Sequence, residues 1–330
     1  MIVLGLIYTA LSGIANGLFS APMKLMPSWK WENIWLVFIV TACLAMPVVM
    51  TFSAMGNPAA VLPMLPRPAV MAALVFGFAW GFGAILFGLS VHTLGVSLAN
   101  SLVIGLSSAA GSVVPLLVSG AFKLEARQIV LLAGVATFLA GVALCARAGR
   151  LREGAATGNP SIKGYLFAVG SGIMSAVFNI GYSMALPIAA AGQQLGLSRF
   201  TATNLIWLLM LAAGSVPNIV FCVSLLGRHR SAACFRQSGA RNWLLSVLMG
   251  LLWGGSIYLY GAATPLLGDI GPSIGWPLSL AVGLVVANLM GLWLGEWRAA
   301  PAGAVRYMRA GIAVLLGAIA ICAFSSTIGA

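Results

Sequence analysis

Gly77-Phe78-Ala79-Trp80-Gly81 sits inside an apolar run from about 69 to 91 and returns 173 residues later as Gly250-Leu251-Leu252-Trp253-Gly254. The match continues: Leu86, Gly88 and Leu94-Gly95 meet Leu259, Gly261 and Leu267-Gly268, so seven of 19 positions are identical. A second match, at an offset of 159, pairs Ser12-Gly13-Ile14 and Phe19 with Ser171-Gly172-Ile173 and Phe178. Both matches keep the same order along the chain, which chance pairing of glycines would not require. The sequence thus reads as one unit used twice, over 1–150 and 162–330, with a linker at 151–161 expected on the cytoplasmic side.

The unit is made for lipid. Of 330 residues 61% are apolar and 7% charged, against roughly 25% charged in a soluble domain. A hydrocarbon core about 30 Å thick needs about 20 mostly apolar residues as helix, because lipid offers unpaired backbone groups no partner. That length predicts ten spanning helices, at about 2–22, 32–53, 69–91, 94–119, 127–146, 162–185, 202–226, 243–263, 272–294 and 308–328. The third and fourth are separated only by His92-Thr93-Leu94-Gly95. The run from Ile2 to about Ala21 lacks a basic leader and an A-x-A cleavage pattern, so it is expected to be a retained span. Five crossings per unit is an odd number, so the second copy enters the membrane from the opposite side. The expected fold is an all-α integral membrane protein of ten transmembrane helices in two inverted five-helix repeats, an architecture frequent among secondary transporters.

Lys and Arg stay on the cytoplasmic side of short loops. With the N-terminus outside, the inner loops hold 13 of the 17 cations, and only Arg67, Lys123, Arg127 and Arg199 fall outside. Both termini are therefore predicted periplasmic. The net charge of +12 comes from cations at the ends of apolar runs, which anchor helices and do not form a nucleic-acid surface. Cys43, Cys145, Cys222, Cys234 and Cys322 show no CxxC spacing and predict neither disulfide nor metal.

Polar and aromatic residues deep in apolar runs are the candidates for function, since each needs a partner or a wet cavity there. They include Asn16, Ser20, Asn100, Ser101, Ser107, Asn179, Tyr182, Tyr258, Tyr260 and Asn288. The alternative for each is an ordinary interhelical hydrogen bond. Trp80 and Trp253 occupy matching places in the repeat, away from the interface where Trp usually sits. They either flank a central cavity, where a ring stacks on the C–H face of a sugar, or pack beside Gly81 and Gly254. The substrate-binding candidates are Asn16, Trp80, Asn100, Asn179, Tyr182, Trp253, Tyr258 and Trp276. Trp276 lies in Gly271-Pro272-Ser273-Ile274-Gly275-Trp276-Pro277, which predicts irregular backbone and a gate or site wall. Glu32 and Asp269 are the proton-coupling candidates, though each reads more simply, like Glu296, as an interfacial partner of a nearby cation. His92 and His229 are expected in solvated inner loops. There is no Ser/His/Asp set, no phosphate-binding glycine loop, no HExxH pattern and no GxxxxGK[ST] run, which disfavours an enzyme or an ATP-driven pump.

Ala21-Pro22-Met23-Lys24 followed by Trp29-Lys30-Trp31-Glu32-Asn33-Ile34-Trp35 resembles the AP-x-K and W-x-W-E-x-x-W signature of the L-rhamnose/proton symporter family, within the drug/metabolite transporter superfamily. Gly77 to Gly95, Arg147-Ala148-Gly149-Arg150-Leu151-Arg152-Glu153, Asn218 with Phe221-Cys222, and Glu296-Trp297 agree in order, so the resemblance spans nearly the whole chain. It implies a carrier of the bacterial inner membrane that moves L-rhamnose or a related sugar inward with a proton and needs no cofactor beyond that coupling ion. The competing expectations are an exporter of a small metabolite or drug from the same superfamily, and a receptor or scaffold, which would need no cavity lined by both halves.

Overall fold

The computed structural model describes residues 1–94, 96–118, 120, 123, 125–153, 162–237, 239–293, 295 and 297–328, excepting the side chains at 91, 92, 96–98, 100 and 153. Among these residues all regular structure is helical. Helix α1 (Ile2–Leu18) leads through a 3-10 turn (Ala21–Leu25) to α2 (Trp31–Val40) and α3 (Met46–Met55), which a π turn (Thr41–Ala45) joins into one span. There follow α4 (Arg67–Leu94), α5 (Val96–Val118), α6 (Ala126–Glu153), α7 (Ile162–Gln194), α8 (Arg199–His229), the single turn α9 (Cys234–Gln237), α10 (Ala240–Ala263), α11 (Gly271–Trp293) and α12 (Ala302–Ser325). Ten segments among the described residues are long and apolar enough to cross a membrane.

Several helices outrun the expected spans. The α4 helix continues through His92 to Leu94 and so takes up positions 92–94 of the loop expected at 92–95; position 95 and the side chain of His92 lie outside the described ones. Helix α6 runs through Arg147 to Glu153 and takes up the start of the expected linker, whose positions 154–161 are outside the described residues. Its guanidinium groups find aromatic faces there, Arg147 over Tyr307 at 4.7 Å and Arg152 over Trp297 at 4.8 Å, a favourable cation–π placement. The Gly271–Pro277 segment is not irregular: it forms the buried first turns of α11. Pro272 stands in the first turn, where a missing N–H leaves no bond unmade, and the Ile270 carbonyl accepts from the amides of Ser273 and Ile274.

The helices pack by an inverted rule. On α1 the large side chains Val3, Leu4, Ile7, Leu11 and Ile14 face outward, whereas Gly5, Thr9, Ser12, Gly13 and Gly17 are buried. Lipid tails solvate Leu as well as protein does, so small residues that permit close backbone approach occupy the helix contacts instead. Thus α4 lies on α7 and α8, α5 on α7, α1 on α10 and α11, and α6 on α12. Gly77 and Gly81 put the α4 backbone against Met210, Gly214 and Pro217 of α8, while Gly250 and Gly254 put α10 against Thr41 and Met46. Across these seams Ser12 Oγ donates to the Ser256 carbonyl (2.8 Å) and Ser171 Oγ to the Gly83 carbonyl (2.9 Å). The largest core runs through the aromatic residues of α2, α4, α7, α8 and α10.

Candidate functional site

A cavity of about 330 Å³ opens between α1, α2, α4, α5, α7, α10 and α11, within the range of small-molecule sites. On α1 its wall holds Ser12 and Asn16, four apart, and the spacing continues past the helix end with Ser20 and with Lys24 on the 3-10 turn. Four-residue spacing keeps side chains on one helix face, so one polar stripe faces the cavity while the lipid face stays apolar. Eight serines, with Asn16 and Asn288, supply hydroxyls and amides; no described lining residue is acidic. Trp35, Phe38, Trp80, Phe178, Trp253, Tyr260 and Trp276 supply rings. Neutral donors and acceptors around aromatic surface suit an uncharged polyhydroxylated ligand.

Trp80 and Trp253 both line this cavity, yet they do not face each other across it. Their rings stack directly, centroids 5.2 Å apart and planes 12° from parallel. Behind Trp80 lie Gly214 and Phe178, whose ring centroid is 4.9 Å away, and behind Trp253 the edge-on ring of Phe38 at 5.9 Å. The pair is one composite wall with no room for a ligand between its members, and Trp80 presents little more than an edge. Trp276 lines the far end, with its Nε1–H on the Ser107 carbonyl (3.2 Å) and hydroxyl (3.1 Å).

That far end is closed. Asn179, fully buried behind the wall, donates from Nδ2 to the carbonyls of Gly111 (2.8 Å) and Pro272 (3.2 Å) and accepts from the Tyr260 hydroxyl. It therefore ties α7 to α5, α10 and α11 at one point. Tyr182 stacks on Trp207 (4.5 Å, 5°) and its hydroxyl meets Thr264 Oγ1 at 2.6 Å. Beyond them Leu116, Leu131, Leu267, Ile270 and Ile274 form a dry cluster. At the other end the cavity reaches Lys24, Arg152 and Trp297. Asn179 and Tyr182 thus seal the chamber and do not line it. Tyr258 is buried outside the lining, and its hydroxyl has no partner among the described residues. The side chain of Asn100 lies outside the described ones.

The two acids differ sharply. Asp269 is exposed between α10 and α11, at the end of the bundle away from Lys24. Glu32, at the first turn of α2, is 3% exposed and accepts from Ser231 Oγ at 2.6 Å, with His229 Nδ1 at 2.9 Å. His229 is exposed, as its sequence position suggested, yet it is the last residue of α8 and pairs with a buried carboxylate. Glu296 lies outside the described residues. Ser171, Ser175, Ser256 and Ser279 also line the cavity and escaped the sequence reading, although Ser171 and Ser175 carry the same four-residue spacing that marks the α1 stripe.

The family model described as L-rhamnose-proton symport protein matches residues 1–327. The chain belongs to that family. Family membership makes it a transporter and not an enzyme. Among its relatives are proteins named L-rhamnose-proton symporter from Klebsiella pneumoniae (strain 342) and Escherichia coli O1:K1 / APEC, each 26% identical over 332 residues, with 96% of this chain and 95% of the relative covered. One of the same name from Cronobacter sakazakii (strain ATCC BAA-894) is 27% identical over 331 residues, with the same shares covered. A solved crystal structure superposes with a TM-score of 0.61 at 16% identity, over 96% of this chain and 95% of that one, a likeness of fold alone.

Proposed function

We propose that this protein is a secondary active transporter of the bacterial inner membrane that takes up L-rhamnose or a related sugar together with a proton, by alternating access. The carrying observation is a chamber of uncharged hydroxyls, amides and rings, sealed at one end and extending to the cationic end at the other. With those cations on the cytoplasmic side, this is an inward-facing state with both termini periplasmic. A cysteine placed at exposed Thr327, just past α12, is expected to react with an impermeant maleimide on intact cells; labelling only after lysis would reverse the orientation.

We read 1–150 and 162–330 as inverted repeats, and the family as part of the drug/metabolite transporter superfamily. The support for the repeat lies in paired contacts. The Ser12–Ser256 bond joins α1 to α10 and the Ser171–Gly83 bond joins α7 to α4, with the donors and acceptors related by the sequence offsets 159 and 173. Likewise α4 on α8 matches α10 on α2, and α5 on α7 matches α11 on α1. The stacked Trp80 and Trp253 then sit where the halves meet. In this reading Asn16, Trp253 and Trp276, with Tyr260 and the serines, contact the sugar; Trp80 supports the wall, and Asn179 and Tyr182 hold the periplasmic gate. Glu32, buried and hydrogen-bonded, is the better coupling group; exposed Asp269 is not.

Proteoliposomes are expected to accumulate radiolabelled L-rhamnose under an inwardly directed proton gradient. Absence of uptake by monodisperse protein would refute the substrate, and uptake indifferent to the gradient would refute the coupling.

A further inference from the structure

The link after α1 and the link after α8 are fastened together by an unusually specific set of bonds. Besides the two contacts to Glu32, Asn33 Nδ2 donates to the Ser231 carbonyl (2.9 Å), Trp29 Nε1 to the Cys234 carbonyl (3.2 Å) and Asn242 Nδ2 to Ser28 Oγ (2.9 Å). Arg230, between His229 and Ser231, has φ 51° and is the only non-glycine residue with positive φ among the described residues. Such left-handed backbone is unfavourable for a side-chain-bearing residue and persists where surrounding contacts impose it, commonly at functional sites. Here it turns the chain so that His229 and Ser231 both reach Glu32. The helix ends favour the same arrangement, because Glu32 stands in the first turn of α2 and His229 in the last turn of α8.

Resting on the symport reading above, we infer that His229 is the cytoplasmic proton exit, taking the coupled proton from Glu32 and passing it to water. The Glu32 side chain is 4% exposed, whereas that of His229 is 46% exposed and 2.9 Å away, so the imidazole is the wet end of a two-member path. When protonated Glu32 yields its proton, its O–H bond breaks and an N–H bond forms at His229 Nδ1. The N–H bond at Nε2 then breaks to water. One proton moves and no electrons do. Afterwards the carboxylate accepts from the Nδ1–H and from Ser231, for which the Nδ1–Oε1 and Oγ–Oε1 contacts of 2.9 and 2.6 Å are suited. The chamber is coupled to this path through α2 itself: Trp35, one turn beyond Glu32, lines the cavity and stacks on Trp31 at 5.1 Å.

Charged or titratable groups around the pair include Lys30, whose Nζ donates to the His229 carbonyl, Lys24 on the 3-10 turn with Arg152 of α6 near it, Arg228 and Arg230 beside His229, Arg236 on α9, Arg241 on α10, and Cys222 on α8 within electrostatic reach of Glu32. Of these types only the imidazole exchanges its proton readily between pH 5 and 8.

The variant that separates relay from scaffold is His229→Asn, whose amide can supply the Nδ1-like donor to Glu32 but cannot carry a proton through. In right-side-out membrane vesicles, gradient-driven rhamnose accumulation is expected to fall at least about tenfold. Exchange of internal for external rhamnose without a gradient, at acid pH where the carrier need not deprotonate, is expected to stay within about twofold of wild type. Wild-type accumulation retained in His229→Asn would overturn the relay and leave the uptake reading standing, and so would parallel loss of accumulation and exchange at unchanged protein yield. Wild-type vesicles with neither activity would sink the uptake reading itself, and the relay with it.

Discussion

Asn179→Ala is expected to lower the unfolding free energy in detergent by about 2 kcal/mol and to let the sealed end of the chamber open more often. The side chain is fully buried and makes three hydrogen bonds, two to carbonyls of different helices and one from Tyr260. Interhelical hydrogen bonds inside membrane proteins average about 0.6 kcal/mol each, at the low end of the roughly 0.5–1.5 typical of soluble proteins, since a polar group in the unfolded membrane state also finds partners. Three such bonds sum to about 2 kcal/mol on the membrane value, and the void left by the amide adds to it. Tyr260→Phe should be milder, about 1 kcal/mol at most, since it removes one donor and keeps the ring packed edge-on to Trp276 at 5.5 Å. Urea or thermal unfolding monitored by Trp fluorescence gives the stability term. Accessibility of a cysteine at Ser273, buried just beyond the gate, gives the opening term. An Asn179→Ala protein as stable as wild type, with that cysteine equally protected, would remove Asn179 from the gate.

The ten crossings were legible because hydrocarbon imposes a minimum apolar length, and the matched glycines and serines stand out in sequence because they serve as helix contacts. Ser12 and Ser171 matched in sequence because each bonds a backbone on the partner helix that a larger residue would push away. The α1 stripe of Ser12, Asn16, Ser20 and Lys24 could be seen only in part, as Asn16 and Ser20, since the lipid face of α1 is as apolar as a core and gives no contrast. What periodicity could not supply was the partner across a seam. His229 and Glu32 are 197 positions apart, and nothing local to either predicts that α8 ends over the start of α2. Nor does sequence say on which side of a wall a polar side chain falls: Asn179 and Tyr182 lie outside the chamber lining and bond neighbouring helices. The helical start of α11 escaped because glycine and proline punctuate soluble sequences, whereas here both are accommodated in a buried first turn.

The two tryptophans are equivalent by sequence and are expected to be unequal by experiment. Trp80 is 9% exposed and covered on both faces, by Trp253 on one side and by Phe178 and Gly214 on the other. Truncating such a ring leaves a large hole, and Trp80→Ala should cost about 3 kcal/mol or more of stability, in line with buried Trp→Ala changes. Trp253 is only partly buried and borders the same chamber, so on the uptake proposal a bound sugar would cover more of it. Trp253→Ala should therefore raise the apparent KM for rhamnose about tenfold, equivalent to about 1.4 kcal/mol, with a smaller loss of stability than Trp80→Ala. Because the rings stack on each other, their truncations cannot add. The double alanine variant should be less unstable than the sum of the single losses by about 1 kcal/mol, the worth of an aromatic pair beyond its buried area. Trp80→Phe, which keeps a ring against Trp253, should recover most of the stability. Unfolding curves and transport kinetics on the four proteins decide the matter: strict additivity would mean the stack contributes nothing, and equal KM changes in the two single variants would mean that both rings meet the sugar alike.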